Sequence, residues 1–296
     1  MRLYGDELGA HVSSAGGVQN APGRAALLDA HVLQLFTKMA SRWAEPVISD
    51  EQADAFKQGC AEHGITFTAA HDSYLINLAT ADAALFERSY ASFVGELARS
   101  TKLGLTAVVT HPGNATDGDV ARGVRGNAQA VQRALDAVPG SVLVLFETTA
   151  GSGNALGASF EQLAELIYLI DESHRERIGV CVDTCHVWAA GYDVRDHYDD
   201  VIHSLDEIVG MHRVRMFHLN DSVGDRGSRR DRHAHIGEGL LGKKTFASLL
   251  NDPRFRSVPK MIETPKDDDV IAADRKNLGL LRSLRRKTGA RKSKNA

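Results

Sequence analysis

Six side chains able to bind a metal or carry a proton recur along this chain at nearly constant spacing. His71, His111, Glu147, Asp183, His218 and Glu263 are separated by 40, 36, 36, 35 and 45 residues. Three more candidates join them: His186, three residues after Asp183 in DTCH, and the pair Asp231 and His233 in RDRHAH. A D-x-H pair on extended chain turns both side chains to one face, so Asp231 and His233 can chelate one ion. Five histidines and four carboxylates exceed the needs of one metal. A structural zinc takes four protein ligands and a catalytic zinc about three plus water, so the set suits two or three ions with open positions. Without cysteine or methionine in the set, copper(I) and iron–sulfur chemistry are disfavoured, and the histidines argue against a purely magnesium or calcium site, which leaves zinc or manganese. Two such ions about 3.5 to 4 Å apart can share a carboxylate and a hydroxide and grip the attacking and leaving oxygens of phosphoryl transfer, while a third adds leaving-group stabilisation.

Each separation is about one βα unit long, and the elements between the candidates explain why. Short apolar runs occur at residues 7–13, 31–37, 65–71, 105–111, 141–147, 178–183, 214–220 and 259–263. Between them lie stretches whose apolar residues recur at i, i+3, i+4 and i+7, as in DEQADAFKQGCAEHG and GNAQAVQRALDAV. Eight alternating βα units with near-continuous apolar strands predict an α/β fold, a (β/α)8 TIM barrel in one domain spanning residues 1–284. The candidate ligands then sit at the C-terminal ends of strands three to eight, the rim where such barrels place their active sites.

Composition bounds the rest. The chain has 296 residues, 43% of them hydrophobic and 25% charged, the make-up of a globular protein. No long apolar run predicts a membrane span, and the acid-bearing N-terminus does not read as a signal peptide, so a cytoplasmic protein is expected. Three cysteines (Cys60, Cys181, Cys185) are too few for a disulfide framework; Cys181 and Cys185, flanking Asp183, read as packing residues. The net charge is −3, but seven basic residues and no acids lie from Arg282 onward, which leaves a body of 28 basic and 38 acidic residues. A body at −10 is a poor partner for nucleic acid unless cations or a local basic rim reverse the field. Residues 285–296 form a basic tail, expected to be disordered and able to add salt-sensitive affinity for DNA.

Five segments carry a resemblance: GAHVSSAGG (9–17), HDSYLINL (71–78), GVCVDTCHVWAAGYD (179–193), HLNDS (218–222) and DRHAHIGEG (231–239). In this order they resemble the endonuclease IV family of abasic-site nucleases, over about residues 8–265. The resemblance implies a trinuclear zinc site, with one position open to manganese. His71 and His111 match the residues that hold one zinc, Glu147 the bridge to a second held also by Asp183, His218 and Glu263, and His186, Asp231 and His233 those of the third. Glu147 and Glu263 are the carboxylates implied in catalysis. Three divalent ions would outweigh four ligand carboxylates and make the pocket positive within an acidic body. The implied reaction is hydrolysis of the phosphodiester 5′ to an abasic site in double-stranded DNA, leaving a 3′-hydroxyl and a 5′-deoxyribose phosphate, with clearance of blocked 3′ ends, by a monomer. Tyr74 and Leu75 match the residues inserted into the lesion. One departure concerns the inserted arginine, whose place is taken by Ser41 here, with Arg42 next to it.

Two rival readings are set against this one. A one-metal sugar isomerase or epimerase would use Glu147, Asp183, His218 and Glu263 alone and leave five candidates unexplained. A DNA-binding protein without activity would have lost a ligand, and none is lost. His11 and His235 match no ligand and read as supporting residues. GSGNALG (151–157) lacks the dinucleotide-binding spacing and reads as the loop after strand five.

Overall fold

The computed structural model describes residues 7–286. Eight parallel strands close into a barrel: β1 (Leu8–His11), β2 (Val32–Leu35), β3 (Phe67–His71), β4 (Ala107–Thr110), β5 (Leu143–Glu147), β6 (Ile178–Asp183), β7 (Val214–His218) and, after a two-stranded antiparallel insertion of β8 (Asp221–Ser222) with β9 (His233–Ala234), β10 (Lys260–Ile262). β10 pairs with both β7 and β1 and closes the ring. All eight expected strands are present, most of them shorter than the apolar runs, which continue into the flanking loops. The small β8–β9 ribbon was not anticipated from the sequence, since two-residue strands carry no periodicity of their own.

Helices wrap the barrel, and their ends are written locally. Ser49 and Gln52 form a reciprocal cap on Asp50–Glu62, Asp82 caps Ala83–Leu103 by accepting from the Leu85 N–H at 2.8 Å, and that helix stops at Gly104 with φ 69°. The last helix, Val270–Leu284, ends where the expected tail begins; from residue 287 that tail lies outside the described residues. No helix among the described residues is long and apolar enough to cross a membrane.

Strand periodicity sorts side chains into two cores. Leu33, Ala70, Val108, Phe146, Val182, Phe217 and Ile262 pack outward under the helices. Their neighbours Val32, Ala69, Val109, Leu145, Cys181, Met216 and Met261 fill the barrel interior. On β1 the corresponding inward position is Gly9, where an added Cβ would lie 1.9 Å from the Val32 carbonyl oxygen, so the two backbones are close enough to require glycine.

Candidate metal centre

Two residues beyond each interior residue lies the next inward position, at the mouth of the barrel. Reading it off strand by strand gives His11, Gln34, His71, His111, Glu147, Asp183, His218 and Glu263. The six candidates from strands three to eight are therefore brought together by the same alternation that packs the interior. The other three arrive from loops: His186 from the short helix Thr184–Ala190, and Asp231 and His233 from the β8–β9 insertion.

Glu147 is fully buried at the centre. Its Oε2 lies 3.1 Å from His71 Nε2 and 3.2 Å from His111 Nε2, and its Oε1 lies 3.0 Å from His218 Nδ1 and 3.2 Å from His186 Nδ1. His218 Nδ1 is also 3.2 Å from Glu263 Oε2 and 3.9 Å from Asp183 Oδ2. Asp231 reaches His186 Nε2 at 3.2 Å with one oxygen and His233 Nε2 at 3.1 Å with the other. Four groups of ligand atoms result, each within 4.8 Å: His71, His111 and Glu147; Glu147, Asp183, His218 and Glu263; Asp183, His186 and His233; and Cys185, Asp231 and His233, so the expected set of His186, Asp231 and His233 is divided between the last two. Cys185 lies equally close to Asp231 and His233, and like Cys181 it is buried.

Hydrogen bonds on the far side of the imidazoles decide which nitrogen carries a lone pair. His71 Nδ1 is 2.9 Å from the Asp72 carbonyl, His186 Nδ1 2.8 Å from that of Thr148, and His233 Nδ1 3.1 Å from that of Glu263. A carbonyl only accepts, so each Nδ1 carries the hydrogen and each Nε2 turns a lone pair toward carboxylate oxygens, acceptor against acceptor. His186 Nε2 and His233 Nε2 are buried and make no hydrogen bond among the described residues. Something positive must lie between such groups, either a proton or a metal ion. Ligand atoms about 2.0–2.1 Å from a tetrahedral zinc stand roughly 3.3 Å from one another, so the separations found here, together with a donor set mainly of nitrogen and oxygen, fit zinc or a similar ion.

The protons hold the site in their own way. Burial works against charge on His71 and His233, yet Glu147 and Glu263 around the first, and Asp183 and Asp231 around the second, push both up to about 9. Burial would raise Glu147, but His218, His111 and His186 hold its carboxyl well below the usual range. Asp72, beside His71, is pushed up to about 7 by burial, and its Oδ2 accepts from the Thr110 hydroxyl at 2.6 Å.

Several supporting residues escaped the sequence reading. Asn220 Nδ2 donates to Asp183 Oδ2 at 2.6 Å and its Oδ1 accepts from the Glu263 N–H at 2.8 Å. Gln34 bonds both His218 and Glu263. Asp221 accepts from four backbone N–H groups, of Ser222, Gly237, Leu241 and Gly242, and pins the end of the insertion. Between β8 and β9 stand Arg226, Arg229, Arg230 and Arg232, all exposed, beside Asp231. GDRGSRRDRH was a legible signal for a basic rim, hidden when charge was summed over the whole body.

Tyr74 projects from the loop after β3, 66% exposed, with its ring 5.8 Å from His71 and 5.5 Å from Phe36. Burial of its inner part and the carboxylates of Glu263, Glu147 and Asp231 push its hydroxyl up to about 12. Leu75 beside it is half-buried. Ser41 and Arg42 are exposed on a turn closed by the Arg42 N–H to the Met39 carbonyl, and the Ser73 hydroxyl ties that loop to Tyr74's by donating to the Ala40 carbonyl at 2.6 Å. A cavity of about 280 Å³ opens beside His71, His111, His186 and Asp231, walled by Asn77, Asn114 and Ser152. Gly151, Ser152 and Ala155, from the loop after β5, form one of its walls. His11 Nδ1 lies 3.2 Å from Glu263 Oε1, while His235 is turned away, to Asp267 and Asn277.

Known proteins resemble the chain along nearly its whole length. The family described as xylose isomerase-like TIM barrel matches residues 23–285. The probable endonuclease 4 of Chloroflexus aurantiacus is 48% identical, over 93% of this chain and 97% of that protein, and that of Chloroflexus aggregans is 48% identical over 95% and 99%. The crystal structure of endonuclease IV from Thermus thermophilus superposes with a TM-score of 0.83 at 36% identity, covering 94% of this chain and 98% of the other. A barrel of this kind, with a metal-binding constellation at its mouth and relatives of this name, leaves one conclusion: the chain belongs to the endonuclease IV family of xylose isomerase-like TIM barrels.

Proposed function

We propose that the protein is a DNA-repair nuclease that hydrolyses the phosphodiester 5′ to abasic sites in double-stranded DNA, leaving a 3′-hydroxyl and a 5′-deoxyribose phosphate, and that it also clears blocked 3′ ends. The observation that carries the reading is the number of converging donors. Five imidazoles and three carboxylates meet at one barrel mouth in three overlapping groups, and a fourth carboxylate, Asp231, reaches two of the imidazoles, His186 at 3.2 Å and His233 at 3.1 Å. A one-metal sugar isomerase would use Glu147, Asp183, His218 and Glu263 and have no employment for the other five.

His71, His111 and Glu147 would hold the first of three zinc ions, one of them exchangeable for manganese; Glu147, Asp183, His218 and Glu263 the second; and His186, Asp231 and His233 the third. Divalent ions held by these residues would lower the pKa of water toward neutrality and would supply positive charge for phosphodiester hydrolysis. Glu147 faces two groups with its two oxygens and Glu263 fixes the second, which makes these the carboxylates on which catalysis depends. Arg226, Arg229, Arg230 and Arg232 give the acidic body a positive rim for phosphates. Tyr74, with Leu75 behind it, offers an aromatic face to the gap where a base is missing, and Arg42 stands on the neighbouring turn. The chain works as a cytoplasmic monomer, in which residues 1–284 form the catalytic domain and the basic residues from 285 add salt-sensitive affinity.

The test is incision of a labelled duplex holding one abasic analogue, with and without prolonged chelation, paired with metal analysis. Single cutting 5′ to the lesion by protein holding about three zinc ions is expected; one metal and no cutting would refute the reading.

A further inference from the structure

Gln34 is the one amide among the eight inward positions at the barrel mouth, and it stands on a strand, VLQL, that is otherwise apolar and fully buried. Burying a primary amide inside a barrel is costly unless every polar atom finds a partner. Here each does. Gln34 Nε2 lies 2.5 Å from Glu263 Oε1 and 2.9 Å from His11 Nδ1, and Gln34 Oε1 lies 2.9 Å from His218 Nε2.

The orientation of this amide is forced. Turned over, its oxygen would face the Glu263 carboxylate, acceptor against acceptor, and its NH2 would face a histidine nitrogen. In the orientation found, the NH2 donates to Glu263 and the oxygen can only accept, so His218 Nε2 must carry the hydrogen. The lone pair of His218 is thereby confined to Nδ1, which points at Glu147, Asp183 and Glu263. The same amide engages Oε1 of Glu263 and leaves Oε2, the oxygen 3.2 Å from His218 Nδ1, free for the group.

We infer that Gln34 is a positioning residue for the metal site formed by Glu147, Asp183, His218 and Glu263, setting the tautomer of one ligand and the binding oxygen of another with a single side chain. Through it the second strand, which contributes no ligand, takes part in the centre. The inference rests on the metal-centre reading above and concerns only this site, since Gln34 touches no residue of the His71–His111 pair or of the Asp231–His233 pair in any hydrogen bond described.

The experiment compares wild-type protein with Gln34→Leu and Gln34→Met, which keep the volume of the amide and remove its bonds. Each is loaded with zinc alone, and metal content and the rate of zinc loss to a chelator are followed. In the metal-free proteins, brought to a pH at which His218 is neutral, long-range nitrogen–proton NMR reports its tautomer, and circular dichroism confirms folding. The expected result is one zinc per chain released about 10–100-fold faster in both variants, the usual effect of removing an outer hydrogen-bond partner of a ligand. His218 should pass from the Nε2–H form to a mixture, with the remaining zinc unaffected. Unchanged release and an unchanged tautomer in folded variants would overturn the role of Gln34 and leave the metal centre standing. A wild-type chain that takes up no zinc would overturn both.

Discussion

Leu145 and Glu147 lie two residues apart on β5, both inside the barrel and both fully buried, yet they belong to regions with opposite physics. Around Leu145 the interior is Val32, Ala69, Val109, Cys181, Met216 and Met261, small residues meeting large ones in a dry plug. Around Glu147 the neighbours are four imidazoles within 3.2 Å. The first region is held by surface removed from water, the second by charges that balance only when a proton or a cation sits among them. One strand period, about 6.6 Å of chain, therefore separates the part that holds the barrel together from the part that does its chemistry.

That contrast can be broken or sharpened by experiment. The largest effect is expected from Glu147→Gln, which disturbs two ligand groups at once: kcat for incision should fall by about 10²–10³-fold or more, as when a preorganised charged group is removed, with the fold intact by circular dichroism. Near-normal cutting with three zinc ions bound would remove Glu147 from the centre. Leu145→Ala should do the reverse, costing about 2–5 kcal/mol of stability in denaturant titration through the cavity it leaves, with zinc content preserved in the folded protein. Loss of zinc in that variant would show that plug and mouth are one cooperative unit.

The pH dependence of the metal-free protein separates the regions again. An imidazole whose pKa is raised on folding stabilises the fold fully below its ordinary value of 6.5 and loses that contribution as pH climbs through the raised value, about 9 for His71 and His233. Lys260, buried at the other end of the barrel and lowered by burial to about 7, titrates with the opposite sign but does so with or without zinc. The difference in Tm between zinc-loaded and metal-free protein should accordingly widen from pH 6.5 to 9; a constant difference would mean that protons do not stand in for zinc at the mouth. The smallest effect is expected from Tyr74→Ala, an about 10-fold loss of affinity for an abasic duplex, near the lower range for one aromatic stacked on a base. Equal weakening on undamaged duplex would place Tyr74 outside lesion recognition.

Much of this was legible in the sequence because the same period governs both regions. The apolar runs located the eight strands, and the histidines and carboxylates at their ends located the mouth. Gln34 escaped notice because residues were sought by chemical type, and an amide is not a ligand; sought by position, two residues after Val32, it falls in line with His71 after Ala69 and Glu147 after Leu145. Asn220 was visible only as part of HLNDS, since its bonds to Asp183 and Glu263 join residues 37 and 43 positions away. The arginines of the β8–β9 insertion were diluted in an acidic total. No local pattern could reveal the cap made by Asp221, whose partners come from residues 222–242 and meet only in the folded chain.

That cap also bears on how such an enzyme diversifies. The segment from Val223 to Arg232 is closed at its base by the Val223 N–H to the Arg232 carbonyl at 3.0 Å and by the two-residue ribbon, tied at its middle by the Gly227 and Arg229 N–H groups to the Trp188 and Ala189 carbonyls, and followed by chain that Asp221 holds. Lengthening a surface loop costs little once its ends are fixed, about 0.6 kcal/mol per doubling. The segment is nonetheless a tethered arch and not a free loop: its arginines can vary one by one, whereas Asp231, on the same ten residues, binds the arch to the histidines of the barrel mouth.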